Sequence, residues 1–70
     1  MKGVFMYSLV EIDGNAFYVM AYVSKAMKEC GYSKEEISNY HELCRQETYD
    51  QLIVRSMEWI EKCNEIKGYL

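Results

Sequence analysis

His41 and Cys44 stand three positions apart, a spacing that puts both on one face of a helix, within reach of a single metal ion. A structural zinc site takes four ligands, and the other thiols, Cys30 and Cys63, form no pairing motif. The bland reading is a boundary histidine beside a packed thiol, because a free cysteine behaves as a small hydrophobe. A Cys–His nucleophile also needs an orienting group and an oxyanion site, and a short helical chain offers little concavity for them. The carboxylate pairs Glu35/Glu36 and Glu58/Glu61 suit a solvated helix face better than acid–base work. Asp13-Gly14-Asn15 starts like a calcium loop but lacks the later ligands and the terminal glutamate spacing. The expectation is a non-enzymatic chain without metal or cofactor.

The aromatic residues carry more information. The chain has 7 tyrosines and 1 tryptophan in 70 residues. Tyrosine and tryptophan give large rigid surface with a polar tip, and they dominate interface hot spots. A core of this size cannot hide them all. Ordinary partial exposure is the competing reading, since more than half of any protein surface is apolar. The residues expected at a partner surface are Phe5, Tyr7, Tyr18, Tyr22, Lys25 and Trp59.

A helical framework must position these groups. The stretch from Asp13 to Gly31 predicts a central helix over about 14–30. Asp13 is its expected N-cap. Ala16, Val19, Met20, Val23, Met27 and Cys30 form a buried stripe, which Phe17 and Ala26 widen. Gly31 supplies a left-handed stop, and Tyr18 and Tyr22 form a flanking stripe. Ser33 with Glu36 is a capping box that opens a second helix, to about Gln46, with Ile37, Tyr40, Leu43 and Cys44 on one side. Thr48 with Gln51 is a second box, opening a third helix over about 49–66. That helix turns Leu52, Ile53, Met57, Ile60 and Cys63 inward, with Ser56 between them and Trp59 and Ile66 extending the face. Gly68 is its expected stop. The fold class is mainly α: a small three-helix bundle with an apolar N-terminal arm or short strand over 1–12. No internal repeat or linker divides the chain, so it reads as one domain.

Composition narrows the function. The chain is 50% hydrophobic and carries a formal net charge of −3. A chain this short is marginal alone, so efficient helix packing or oligomerisation is expected. Eight basic residues are dispersed singly, whereas phosphate binding favours clustered cations. An odd number of unclustered cysteines suits a reducing cytoplasm. No signal peptide is visible, and no apolar run approaches the ~20 residues of a membrane span. The arm is apolar on both faces when extended, and no second strand-like run is visible to pair with it. Its backbone groups need partners, so pairing between two copies in a homo-oligomer, as a dimer, is expected; a short helix on the chain's own bundle is the competing solution.

Two segments together resemble a known group. Asp13-Gly14-Asn15-Ala16-Phe17 opens a helix that ends in Cys30-Gly31-Tyr32-Ser33. Thr48-Tyr49-Asp50-Gln51-Leu52-Ile53 then leads to Met57-Glu58-Trp59-Ile60. This resembles small proteins of bacteriophages and prophages that carry a DGNAF opening, a central G-W/Y/V-S turn and an SGDYDHLL-like box, a group related to the small protein accompanying the phage UvsW helicase. The likeness spans roughly Ile12 to Ile60. Here Gln46-Glu47-Thr48 replaces the SGD part and Gln51 the histidine. That removes a glycine turn and adds a negative charge, which disfavours nucleic-acid contact at this turn. The resemblance implies a dynamic helical bundle of helicase-associated type in a mobile-element genome, and it supplies no catalytic residues. The expected function is to bind a protein partner in the bacterial host cytoplasm, as an inhibitor or modulator of host defence or nucleic-acid-processing machinery. The alternative is a nucleic-acid-binding helicase-accessory module.

Overall fold

A computed structural model describes residues 6–9, 12 and 14–69. Three helices follow one another: α1 (Ala16–Glu29), α2 (Lys34–Gln46) and α3 (Tyr49–Lys67). No strand occurs among the described residues. Both α2 and α3 pack against α1, the organising role expected of that stretch.

The helix ends follow from local chemistry. Ser33 accepts from the Glu36 amide while the Glu36 carboxylate accepts from the Ser33 amide. Thr48 and Gln51 repeat the arrangement on α3. Both boxes satisfy amide groups that a helix start leaves without partners. The start of α1 departs from expectation: Asn15 is the cap, and its side chain accepts from the Phe17 amide. Asp13 lies outside the described residues. Gly31 (φ 96°) and Gly68 (φ 78°) adopt the left-handed conformation. This lets the Gly31 and Tyr32 amides donate back to Lys28 and Met27, and the Gly68 and Tyr69 amides to Glu65 and Asn64, closing α1 and α3 in the same way.

The core contains Val19, Met20, Val23, Ala26 and Met27 from α1, Tyr40 and Cys44 from α2, and Leu52, Ile60 and Cys63 from α3. Each large apolar side chain so buried contributes roughly 1.5–3 kcal/mol before chain entropy is counted. Two polar side chains, Ser56 and Asn64, sit among them and are as buried as their apolar neighbours. The Tyr40 hydroxyl and Ser56 share a hydrogen bond of 2.6 Å, so α2 meets α3 through a satisfied polar pair.

Four residues assigned inward stand exposed instead: Phe17 (79%), Leu43 (41%), Met57 (56%) and Ile66 (55%). Consecutive helical residues are about 100° apart. Since Ser56 points at the core, Met57 falls beyond the edge of the buried stripe. Phe17 is displaced in the same way by Ala16, which packs against the core.

Only Glu47 and Thr48 separate α2 from α3. Arg55 clamps this corner with a bidentate hold on Glu47, its Nε 2.9 Å from the carboxylate and its Nη2 on the second oxygen. The guanidinium hydrogen bond, more than the accompanying charge attraction, holds the Glu47 carboxyl below its ordinary value. A lowered carboxylate stabilises the fold above its unfolded value of about 4.3 and loses that contribution as pH falls through the folded value.

Replacing Ser33 or Thr48 by alanine is expected to lower stability by about 1 kcal/mol each, read as a shift in the urea midpoint at constant slope. Glu47→Gln is expected to flatten the acid limb of the stability–pH curve below about pH 4, which thermal melts across that range will check.

Candidate functional site

Residues 6–9 form a segment without regular secondary structure laid across α1 and α3, and side chains supply its backbone partners. The Asn64 carboxamide accepts from the Tyr7 amide at 2.8 Å and donates to the Tyr7 carbonyl at 3.0 Å. The Ser8 amide donates to the Tyr22 hydroxyl at 2.8 Å. The need from which pairing between copies was expected is thus met at Tyr7 and Ser8 within one chain. At Leu9 the segment turns, its carbonyl accepting from the Ile12 amide at 3.2 Å.

The Tyr7 side chain is equally engaged. Its hydroxyl donates to Glu29 at 2.7 Å, and its ring packs edge-on to Tyr22 at 6.4 Å and tilted against Tyr69 at 6.1 Å. Burial, then the hydrogen bond to Glu29, pushes the phenol well above its ordinary value. Two aromatic rings, a carboxylate and a carboxamide hold one residue of the arm.

So pinned, the segment forms one wall of a groove of about 450 Å³ whose other walls come from α1 and α3. Met6, Leu9, Ile12, Tyr49, Ile53 and Met57 give it an apolar lining. Met6, Tyr49 and Met57 are each about half exposed, so they form an open rim. Tyr49 also donates to the Gly14 carbonyl, tying the start of α3 to the entry of α1. Glu61 is the one charged side chain among the described residues that line the groove.

The residues expected at a partner surface do not form one site. Tyr7 and Tyr22 are brought together, but as the anchor of the arm. Tyr18 and Lys25 are exposed on α1. Trp59 lies apart from the groove, edge-on to Tyr32 at 5.0 Å with the Lys62 ammonium over its ring at 4.9 Å. Phe5 lies outside the described residues. Sequence reasoning missed Asn64, Tyr49 and Met6 and set Met57 in the core. The available signal was a polar residue directly after the buried Ile60–Cys63 turn, at a position where an apolar residue was due.

The metal and nucleophile candidates are also separated. His41 Nε2 pairs with the Ser24 hydroxyl across α1 and α2, whereas Cys44 is buried beside Tyr40 and its thiol is raised chiefly by that burial. Among the described residues no three His, Cys, Asp or Glu side chains converge as ligands. His41 borders a recess of about 270 Å³ that Ser24 does not line, so a molecule bound there would not meet the hydroxyl. The pair therefore reads as an interhelical hydrogen bond. No helix among the described residues is long and apolar enough to cross a membrane. No family model matches the chain, and no curated protein or solved structure matches it.

Asn64→Leu keeps the branching at Cγ but removes both bonds to Tyr7, leaving backbone groups unpaired at a cost of about 1–3 kcal/mol. The expected result is fast hydrogen exchange at the Tyr7 amide and a lowered melting temperature, with helical circular dichroism retained at 25 °C.

Proposed function

We propose that this chain is a non-enzymatic interaction protein of bacteriophage or prophage type, working in the cytoplasm of a bacterial host and docking a protein partner in the groove between the arm and α3. The observation that carries the reading is the apolar groove with Met6, Tyr49 and Met57 half exposed at its rim. Apolar and aromatic side chains gathered around a concavity are what a partner's anchor residue requires.

The partner's chemistry follows from charge. Glu61 lines the groove, and Glu58 and Glu65 are exposed nearby on the same helix. Lys62, which stands among them, is drawn over the Trp59 ring. The segment that fits is one with apolar anchors flanked by lysine or arginine. A host defence or nucleic-acid-processing enzyme carrying such a segment is the target class, and occupying the segment is the mode of inhibition. The choice of host target rests on the resemblance to phage proteins. Homodimerisation is a separate proposal, tested by light scattering of the full chain.

A nucleic-acid-binding accessory module is the competing reading. Against it, Arg55 is engaged by Glu47 and Arg45 lies 3.7 Å from Glu42, so these guanidinium groups are already matched to carboxylates and the surface around the groove is acidic.

The test is capture from bacterial lysate with and without nuclease, using wild type, Met57→Asp and Glu61→Lys. A partner that survives nuclease, is lost with Met57→Asp and is weakened about tenfold by Glu61→Lys is the expected outcome, since an exposed Met57 tolerates a charge without loss of fold. Fluorescence titration with a synthetic Leu/Lys amphipathic peptide gives an independent reading of the same ranking. Loss of all capture on nuclease treatment supports the competing reading, and unchanged capture by Met57→Asp removes the groove from the account.

A further inference from the structure

Cys30 and Cys63 are 33 residues apart in sequence, yet the Cys30 Sγ lies 3.7 Å from the Cys63 carbonyl oxygen. Cys30 caps the end of α1 and is half-buried; Cys63 lies near the end of α3 and is fully buried. Burial first, then the neighbouring Cys30 thiol, pushes the Cys63 thiol up to about 12. Cys44 takes no part, being buried on α2 beside Tyr40 and close to Glu47 and Arg55.

We propose that Cys30 and Cys63 are a reactive thiol pair, open in reducing conditions and closed to a disulfide by a small-molecule disulfide such as oxidised glutathione. The accessible Cys30 thiolate attacks one sulfur of the oxidant, and the first glutathione leaves as thiolate. Cys63 then gives up its proton and its sulfur attacks the Cys30 Sγ of the mixed disulfide, expelling the second glutathione. Two protein thiols are oxidised by two electrons in all, one oxidant disulfide is reduced, and the two thiol protons end on the two glutathiones. Proximity drives the second step although the buried thiol is poorly ionised.

The location gives the bond a consequence. Glu29, next to Cys30, accepts from the Tyr7 hydroxyl; Asn64, next to Cys63, holds the Tyr7 backbone. A Cys30–Cys63 bond would fix the spacing of the two helix ends that grip the arm. Oxidation thereby locks the wall of the groove, and reduction frees it to open.

The test treats the full chain with oxidised glutathione, alkylates free thiols and maps peptides without reductant. A Cys30–Cys63 cross-linked peptide is expected, with Cys44 alkylated only after unfolding. The melting temperature is expected to rise by about 10 °C or more, reversibly with reductant, and exchange at the Tyr7 and Ser8 amides to slow. Cys63→Ala is expected to stop at the mixed disulfide on Cys30, and Cys30→Ser to give neither product. A stable mixed disulfide in the wild type with Cys63 free, a cross-link between molecules, or a Cys30–Cys63 bond that lowers the melting temperature would overturn the pair. Unchanged exchange at Tyr7 and Ser8 in the oxidised protein would overturn the link to the arm. These outcomes are independent of whether the groove binds a protein.

Discussion

One carboxamide substitutes for a strand. Asn64 presents a donor and an acceptor in the arrangement a neighbouring peptide unit would offer, and Tyr7 pairs with it through both its backbone groups. An apolar segment with unpaired amides cannot lie against a bundle without such a partner. The position of the arm, and with it the wall of the groove, the packing of Tyr7 on Tyr22 and Tyr69, and the reach of the Tyr7 hydroxyl to Glu29, all depend on this exchange of hydrogen bonds. The carboxamide is buried, so water competes little for it.

Much of the framework was legible because its signals are local. Ser33/Glu36, Thr48/Gln51, Gly31 and Gly68 punctuate helices through bonds spanning only a few residues, and such bonds can be read from spacing alone. The buried stripe of α1 was legible for a related reason: its apolar residues share one helical face. What failed were assignments that equated apolar with inward. Asn64 occupies the core, and Met57 and Ile66 do not. A hydroxyl or amide is buried when a distant partner satisfies it, and periodicity carries no record of the Tyr40 hydroxyl or the Tyr7 backbone. The groove was hidden for the same reason. Its walls join residues near both ends of the chain, and Tyr49 looked like nothing more than the first residue of a helix.

The aromatic surplus divides into separate tasks. Tyr40 fills the centre of the bundle. Tyr7, Tyr22 and Tyr69 form a cluster around the arm, and Tyr32 packs edge-on to Trp59 where α1 ends. Tyr49 is left at the rim of the groove and Tyr18 on the open face of α1. Most of these rings are structural. In a chain with few residues to bury, large rigid side chains cover much area at little entropic loss, which explains their abundance before any partner is invoked.

The Tyr7–Asn64 pair also bears on how the protein is made. Its members are separated by 57 residues, so the arm emerges from the ribosome long before its partner exists. The corner joining α2 to α3 and the caps of each helix can form as those segments appear, but Met6, Tyr7 and Leu9 must wait in water until Asn64 clears the exit tunnel. During that interval an apolar segment with unsatisfied amides is open to chaperones and to other nascent chains. The groove is therefore a late product of synthesis, and a chain stopped short of Asn64 would carry helices without the wall that the arm supplies.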